Sequence, residues 1–344
     1  MFGTILGYVG AVLVLAFMIM AHELGHFLAG RALGFKIDKF AIGFGPKLVK
    51  WDRKGTEFSI RVFPIGGFCL FHGEDENNAD PEAFNNQKAW KRLITIMAGA
   101  LANLITAVFL AIAILTFYGD AEPVVQSVNA GSPAEAYGIQ AGDVIRNFEG
   151  QDIDFAIEMS MALAKSNDEV NLDITVERDG ELIQFDIPRQ YDEAEGRYLA
   201  GFSFTQEPVD YTFGQSIGLS FKWLYMITMQ TYQFIGGLFT GQSSTQDVGG
   251  ILMVTDTIQE AFHISLGVVL EIIALLSINL AVVNMLPFPA LDGGRAVFIV
   301  IEAIFKKPVN RDVEGAIHAV GMILLFGLMF YLIYQDAIRM WFGG

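Results

Sequence analysis

Apolar and polar residues are segregated into long blocks along this chain. From Thr4 to Ala21 the sequence runs almost without polar side chains, and three comparable blocks follow, at about Leu93–Tyr118, Ile264–Leu286 and Ala316–Tyr334. An α-helix needs roughly 20 apolar residues to cross a hydrocarbon core, so each block predicts one transmembrane span. A fifth block, Phe213–Phe239, is rich in aromatics but is interrupted by Gln215, Ser216, Lys222, Gln230 and Gln233. That pattern suits a helix lying in the membrane interface better than one crossing it. The first block is read as a retained span rather than a signal peptide. No basic region precedes it, and it runs straight into His22-Glu23-Leu24-Gly25-His26 instead of a small-residue cleavage site.

Shorter periods mark the segments between the blocks. Val124–Val128 reads as a strand, Asn129–Pro133 as a turn into a short helix, and Ala141–Ile145 as another turn and strand. Asn171–Glu177 alternates apolar and polar residues, turns at Arg178–Glu181 and continues as Leu182–Ile187, which is a hairpin signal. Phe58–Phe63 alternates in the same way and ends at Pro64 and Gly66-Gly67.

Composition and charge sharpen this picture. Of the 344 residues 53% are hydrophobic and only 17% charged, with a mean hydropathy of +0.42, as expected for an integral membrane protein. The net charge of −16 arises mainly between residues 118 and 212, where 20 acidic side chains face 5 basic ones. Such an acidic, water-loving region excludes nucleic acid as a partner. The segment 31–92 holds 11 Lys and Arg, and 295–312 adds Arg295, Lys306, Lys307 and Arg311. By the positive-inside rule both face the cytoplasm and the acidic region faces out. Four spans satisfy this arrangement, and a fifth crossing at 213–239 would break its parity. The expected architecture is therefore a polytopic α-helical membrane protein with four transmembrane helices and one inserted α+β domain. Its parts are a first membrane half at 1–118 with a β region at 40–72, an external domain at 119–208, a surface helix and linker at 209–262, and a second membrane half at 263–344. The single cysteine, Cys69, excludes an intrachain disulfide and a cysteine-rich metal site, and reads as a small buried apolar residue.

Candidate chemistry lies at the inner end of the first span. In the HExxH pattern His22 and His26 stand one helical turn apart on one face, so both imidazoles reach a single zinc, and Glu23 stands beside them as general base. A cluster of ionisable groups at membrane depth is costly unless paired or metal-bound. A third ligand is required. His72, His263 and His318 are candidates, but Asp292 is the best of them. It lies in Asn284-Met285-Leu286-Pro287-Phe288-Pro289-Ala290-Leu291-Asp292-Gly293-Gly294, where two prolines and two glycines break the helix at the cytoplasmic end of its span. His263 falls on the opposite side, and His72 and His318 read as structural or solvated.

These motifs resemble those of the bacterial site-2 proteases, and the likeness runs over almost the whole chain. Ala21–Phe27 is similar to that family's zinc-binding helix, and Asn284–Gly294 to its Asn-Pro-Pro-Leu-Asp-Gly segment, with Asp292 as third ligand. Gly43–Pro46 and Phe63–Phe68 are similar to a re-entrant β-structure on the cytoplasmic side. Ala98–Asn103 is similar to the start of the second conserved span, with Ala100 where the family has proline, and Val248–Ile251 replaces a Gly-Pro turn. Gly131–Ala134 with Gly138–Asp143 resembles the start of a PDZ domain, and the acidic region has room for one. The resemblance implies an intramembrane zinc endopeptidase of the bacterial inner membrane. Its active site lies towards the cytoplasm and its PDZ domain outside. Its substrates are the transmembrane helices of pre-trimmed single-span proteins, such as anti-sigma factor stubs or remnant signal peptides, and the lipid bilayer is its solvent.

Within that frame, Ile60, Val62, Gly66 and Gly67 are expected to clamp an unwound substrate by strand addition or simply to pack as a hairpin. Asn284 and Asn279 either donate to the substrate backbone or satisfy the broken helix. The external domain serves as a gate or as a reader of peptide ends. The alternative class is a silent membrane-anchored PDZ scaffold, against which Glu23 speaks because a structural metal site needs no base.

Overall fold

A computed structural model of the chain describes residues 2–74, 80–166, 171–193, 197–244 and 248–342. It opens with helix α1 (Phe2–Ala32), followed by two long strands, β1 (Ile37–Arg53) and β2 (Thr56–Phe71), and then α2 (Ala89–Phe117). A run of short elements comes next: β3 (Asp120–Val128), α3 (Pro133–Tyr137), β4 (Val144–Phe148), β5 (Gln151–Asp152), α4 (Ala156–Lys165), β6 (Leu172–Arg178), β7 (Glu181–Ile187), β8 (Gln190–Asp192), β9 (Arg197–Leu199) and β10 (Phe202–Val209). Helices complete the chain: α5 (Phe213–Thr240), α6 (Ile251–Ile264), α7 (Leu266–Asn284), α8 (Asp292–Phe305) and α9 (Arg311–Phe342). Among the described residues four helices are long and apolar enough to cross a membrane: Leu6–Ala32, Ala89–Phe117, Leu266–Asn284 and Arg311–Met340. They coincide with the four apolar blocks. Ile323 and Phe330 of α9 are exposed, as are Leu13 of α1 and Phe109 of α2. Contiguous exposed apolar surface of this kind is suited to lipid and not to water.

The chain divides into two compact units, 1–112 with 217–344, and 113–216. In the first, α1 packs against α6 and α7 through Ala11, Val14, Met18, Ile258, Ala261, Val269 and Ile273. Gly7 and Gly10 leave room on α1 for Gln259 and Phe262. Asp336 of α9 is 1% exposed and accepts hydrogen bonds from the Gly250 and Met253 N–H groups at 3.0 and 3.2 Å. It thereby satisfies amides that the start of α6 leaves open. The interfacial expectation for Phe213–Phe239 falls on α5, a helix outside the four candidate spans. Its Phe213, Ile217, Phe221 and Tyr225 are exposed on one stripe, with Ser216, Ser220, Trp223 and Ile227 buried on the other.

The two long strands fold into more than a hairpin. Lys39–Ile42 pairs with Glu57–Ile60 on one side and with Gly67–Leu70 on the other, while Val49–Arg53 pairs with Thr56–Ile60. Each strand therefore bends and is used twice, giving four short segments, of which Lys39–Ile42 and Glu57–Ile60 advance in the same direction while the other pairs run antiparallel. The bends fall at Gly43 and Gly66, whose φ angles of 84° and 95° are ones that L side chains resist. This corrects one expectation. Phe58–Ile60 is hydrogen-bonded on both sides, so Ile60 lies in an internal segment and not on an edge open to an added strand.

The second unit is a sheet in the order β10-β3-β4-β6-β7, with β5 paired to β4. Val125, Ile145, Phe148, Met159, Ile174 and Val176 form its core. The β6–β7 hairpin turns between Arg178 and Glu181, where the alternation changes. Arg178 donates to the buried Asp143 at 2.6 Å, which pairs the carboxylate that folding takes out of water.

Candidate metal centre

His22 and His26 lie on α1, four residues and one turn apart, so their rings share a face; each is 7% exposed. Asp292 comes from the far end of the chain. Helix α7 stops at Asn284 because Pro287 supplies no N–H and its ring clashes with a continuing turn. The chain then crosses Met285–Leu291 and restarts as α8, with Asp292 in its first turn, where the helix dipole favours a carboxylate. Ala290 has a φ of 78°, a left-handed conformation that costs a non-glycine residue about 1–2 kcal/mol. His318 of α9 holds it there, its Nδ1 accepting the Ala290 N–H at 2.8 Å. His318 was expected to be structural or solvated; it is a prop for the broken segment. His72 bridges Asp38 and Asp80 at 3.1 Å each, a tie between the β region and the loop after it.

The donor atoms converge. Asp292 Oδ2 lies 3.0 Å from His22 Nε2 and 3.2 Å from His26 Nε2, and the two nitrogens are 3.2 Å apart. Donors about 2.0–2.2 Å from a tetrahedral zinc sit about 3.3 Å from one another, so this triangle has the size a single zinc requires. Its protonation points the same way. His26 Nδ1 stands 2.9 Å from the Thr95 carbonyl oxygen, which only accepts, so in the neutral ring Nδ1 carries the proton and Nε2 presents a lone pair. A lone pair facing the Asp292 carboxylate calls for a cation between them. His22, His26 and Asp292 also form a cluster of potential metal ligands all lying within 4.8 Å of one another.

Other groups surround the triangle. Glu23, next to His22, lies close to the Cys69 backbone on β2, and a Cβ on Gly67 would lie 3.3 Å from the Glu23 side chain. The outer side of the Gly67–Phe71 segment therefore runs along α1 beside the general-base candidate. Burial, helped by the Glu23 and Glu74 carboxylates, pushes the Cys69 thiol up, so it stays protonated and inert at neutral pH. Asn284 Nδ2 stands 3.5 Å from His22 Nε2, which brings that predicted residue to the site. Asn279 has a different partner: its Oδ1 accepts the Thr231 hydroxyl of α5 at 2.8 Å. It lines an apolar cleft of about 410 Å³ that also includes Met18, Val283 and Leu328. Val62 is exposed on β2.

Helix α2 supplies what the sequence reading missed. Thr95, Gly99 and Asn103 recur every fourth residue on one face, and that face lies against α1. A Cβ at Gly99 would collide with the His26 ring and come within 2.8 Å of His22 Cε1. The signal was present in the sequence. Asn103 is the sole amide or ionisable side chain between Leu93 and Phe117.

Comparison with known proteins adds the family. The sequence profile described as peptidase family M50 matches residues 10–328. A protein of Clostridium acetobutylicum named "putative zinc metalloprotease" is 34% identical over 333 residues, covering 95% of this chain and 96% of its own. Relatives of the same description in Clostridium perfringens and a Nostoc species are each 32% identical. They cover 95% and 96% of this chain, and 97% and 95% of their own lengths.

Proposed function

Since the chain belongs to peptidase family M50 and is a multi-pass zinc metalloprotease of the site-2 type, we propose that His22, His26 and Asp292 hold the zinc and Glu23 is the general base. The observation that carries this reading is the convergence of three lone-pair donors from two distant helices on one triangle with Glu23 beside it. Zinc bound there supplies Lewis-acid activation of water and of the scissile carbonyl. Glu23 takes a proton from the attacking water and delivers it to the leaving amine. The Gly67–Cys69 stretch of β2 packs beside the Glu23 carboxylate, and Asn284 Nδ2 donates to the substrate carbonyl. Asn279 lines the apolar cleft on the substrate's approach.

The substrates are transmembrane helices of pre-trimmed single-span proteins, of the kind represented by anti-sigma factor stubs and remnant signal peptides. A helix hides its amides in internal hydrogen bonds and must unwind before hydrolysis. The β2 edge at Gly66 and Gly67, beside Glu23, receives the unwound segment by backbone pairing, and the β1–β2 region re-enters the membrane from the cytoplasmic side. The basic loops favour the cytoplasmic face of the bacterial inner membrane for that side and for the active site. Residues 119–208 form one PDZ-like domain outside it, which gates access so that bulky untrimmed ectodomains are refused.

The test is cleavage of a tagged single-span substrate in liposomes by wild type and Glu23→Gln, with the zinc content of each. Cleavage by wild type alone, with zinc in both, is the expected result. Equal cleavage by Glu23→Gln removes Glu23 from the chemistry, and zinc in neither protein removes the metal centre.

A further inference from the structure

The proton on His22 has no assigned place, and the structure offers one. A neutral imidazole carries one N–H. On Nε2 it would face the Asp292 carboxylate at 3.0 Å and leave no lone pair for a metal. On Nδ1 it needs an acceptor, and the group in reach there is the Asn103 amide, 3.3 Å away. Asn103 is 0% exposed, and its Oδ1 is buried with no hydrogen-bond partner. The two ends of an amide have the same shape, so turning it over costs no space and brings the orphaned oxygen to His22.

We infer that Asn103 is a positioning residue: its Oδ1 accepts the His22 Nδ1–H and so fixes the tautomer that aims the Nε2 lone pair at the metal. The inference deepens the proposal above and rests on His22 being a ligand. Three observations meet in it. The amide oxygen gains the partner it lacks, and the His22 Nδ1 proton gains an acceptor. Both histidines are then handled by one face of one helix, Thr95 O for His26 and Asn103 for His22, with Gly99 between them leaving room for the rings. Ligating histidines in general donate their second N–H to an oxygen, and loss of that oxygen lowers metal affinity about 10–100-fold.

The experiment is a zinc competition titration against a chromophoric chelator. It uses the full-length protein in detergent, as wild type, Asn103→Leu and Asn103→Asp, with thermal melts of the zinc-free forms. Leucine keeps the volume and removes the acceptor; its zinc dissociation constant is expected to rise about 10–100-fold. Aspartate keeps an acceptor and is expected to bind zinc as tightly as wild type or tighter, even if its zinc-free form melts lower. Cobalt substituted for zinc should give the same visible absorption bands in wild type and Asn103→Asp, and shifted bands in Asn103→Leu. A role confined to packing α1 on α2 would lower the melts and leave both metal readouts alone, which overturns the inference. Equal weakening in Asn103→Leu and Asn103→Asp overturns it too. If Asn103→Leu does not fold, Asn103→Ala makes the same comparison. Absence of zinc from the wild type itself defeats the metal centre as a whole and is distinguished in this way from a failure of Asn103 alone.

Discussion

The two limbs of the candidate metal centre are built by opposite means. His22 and His26 stand on an unbroken helix, and periodicity alone puts their rings on one face; α2 then backs that face with Thr95, Gly99 and Asn103. Asp292 stands where a helix has failed, after prolines at 287 and 289 and a left-handed Ala290 pinned by His318. The regular limb is rigid because every backbone group is already satisfied within the helix. The broken limb has a few bonds of its own, such as Leu291 N–H to the Phe288 carbonyl, and takes a further one from α9 through His318. The irregular main chain is thus confined to one of the three proposed ligands.

If the limbs differ in this way, crowding the regular limb should be fatal, and loosening the broken one should be graded. The largest effect is expected from Gly99→Ala. Its methyl group lands on both histidine rings, and α2 has no slack to withdraw, so zinc content measured on purified protein should fall close to zero and cleavage with it. A smaller effect is expected from His318→Ala. Losing the acceptor of a half-buried N–H costs at most about 1–3 kcal/mol, so zinc should remain but leave up to roughly 150-fold faster under chelator challenge. His318→Asn, whose Oδ1 can take the place of Nδ1, should restore much of the retention. The smallest effect is expected from Ala290→Gly, which relieves the left-handed strain and should raise stability by no more than about 1 kcal/mol with zinc binding unchanged. If Ala290→Gly releases zinc while Gly99→Ala does not, the contrast between the limbs is wrong.

What could be read from the sequence divides along the same line. Four apolar blocks gave four helices because span length depends on local composition alone, and the HExxH face followed from helical period. Asp292 was found because prolines and glycines mark a break whatever surrounds it. The β region was harder. Alternation at Phe58–Phe63 revealed a strand, but not that its residues would be paired on both sides, since that depends on bends at Gly43 and Gly66 that bring distant segments together. His318 was read as structural or solvated without its partner being foreseen, and the contact of Asn103 with His22 was missed, for a related reason. Helix period tells which residues share a face, not which helix that face will meet. An isolated asparagine in an apolar span was the nearest thing to a signal.

The distance along the chain between the two limbs has a consequence for biosynthesis. His22 and His26 leave the ribosome about 270 residues before Asp292, roughly 15–50 s at the usual pace of translation. During that interval the nascent chain has the proposed general base and two of the three proposed ligands. His318, which pins the last segment, is made later still. On the proposed ligand set, a nascent chain therefore holds two of three ligands until Asp292 is made, and the segment before Asp292 gains its His318 contact last.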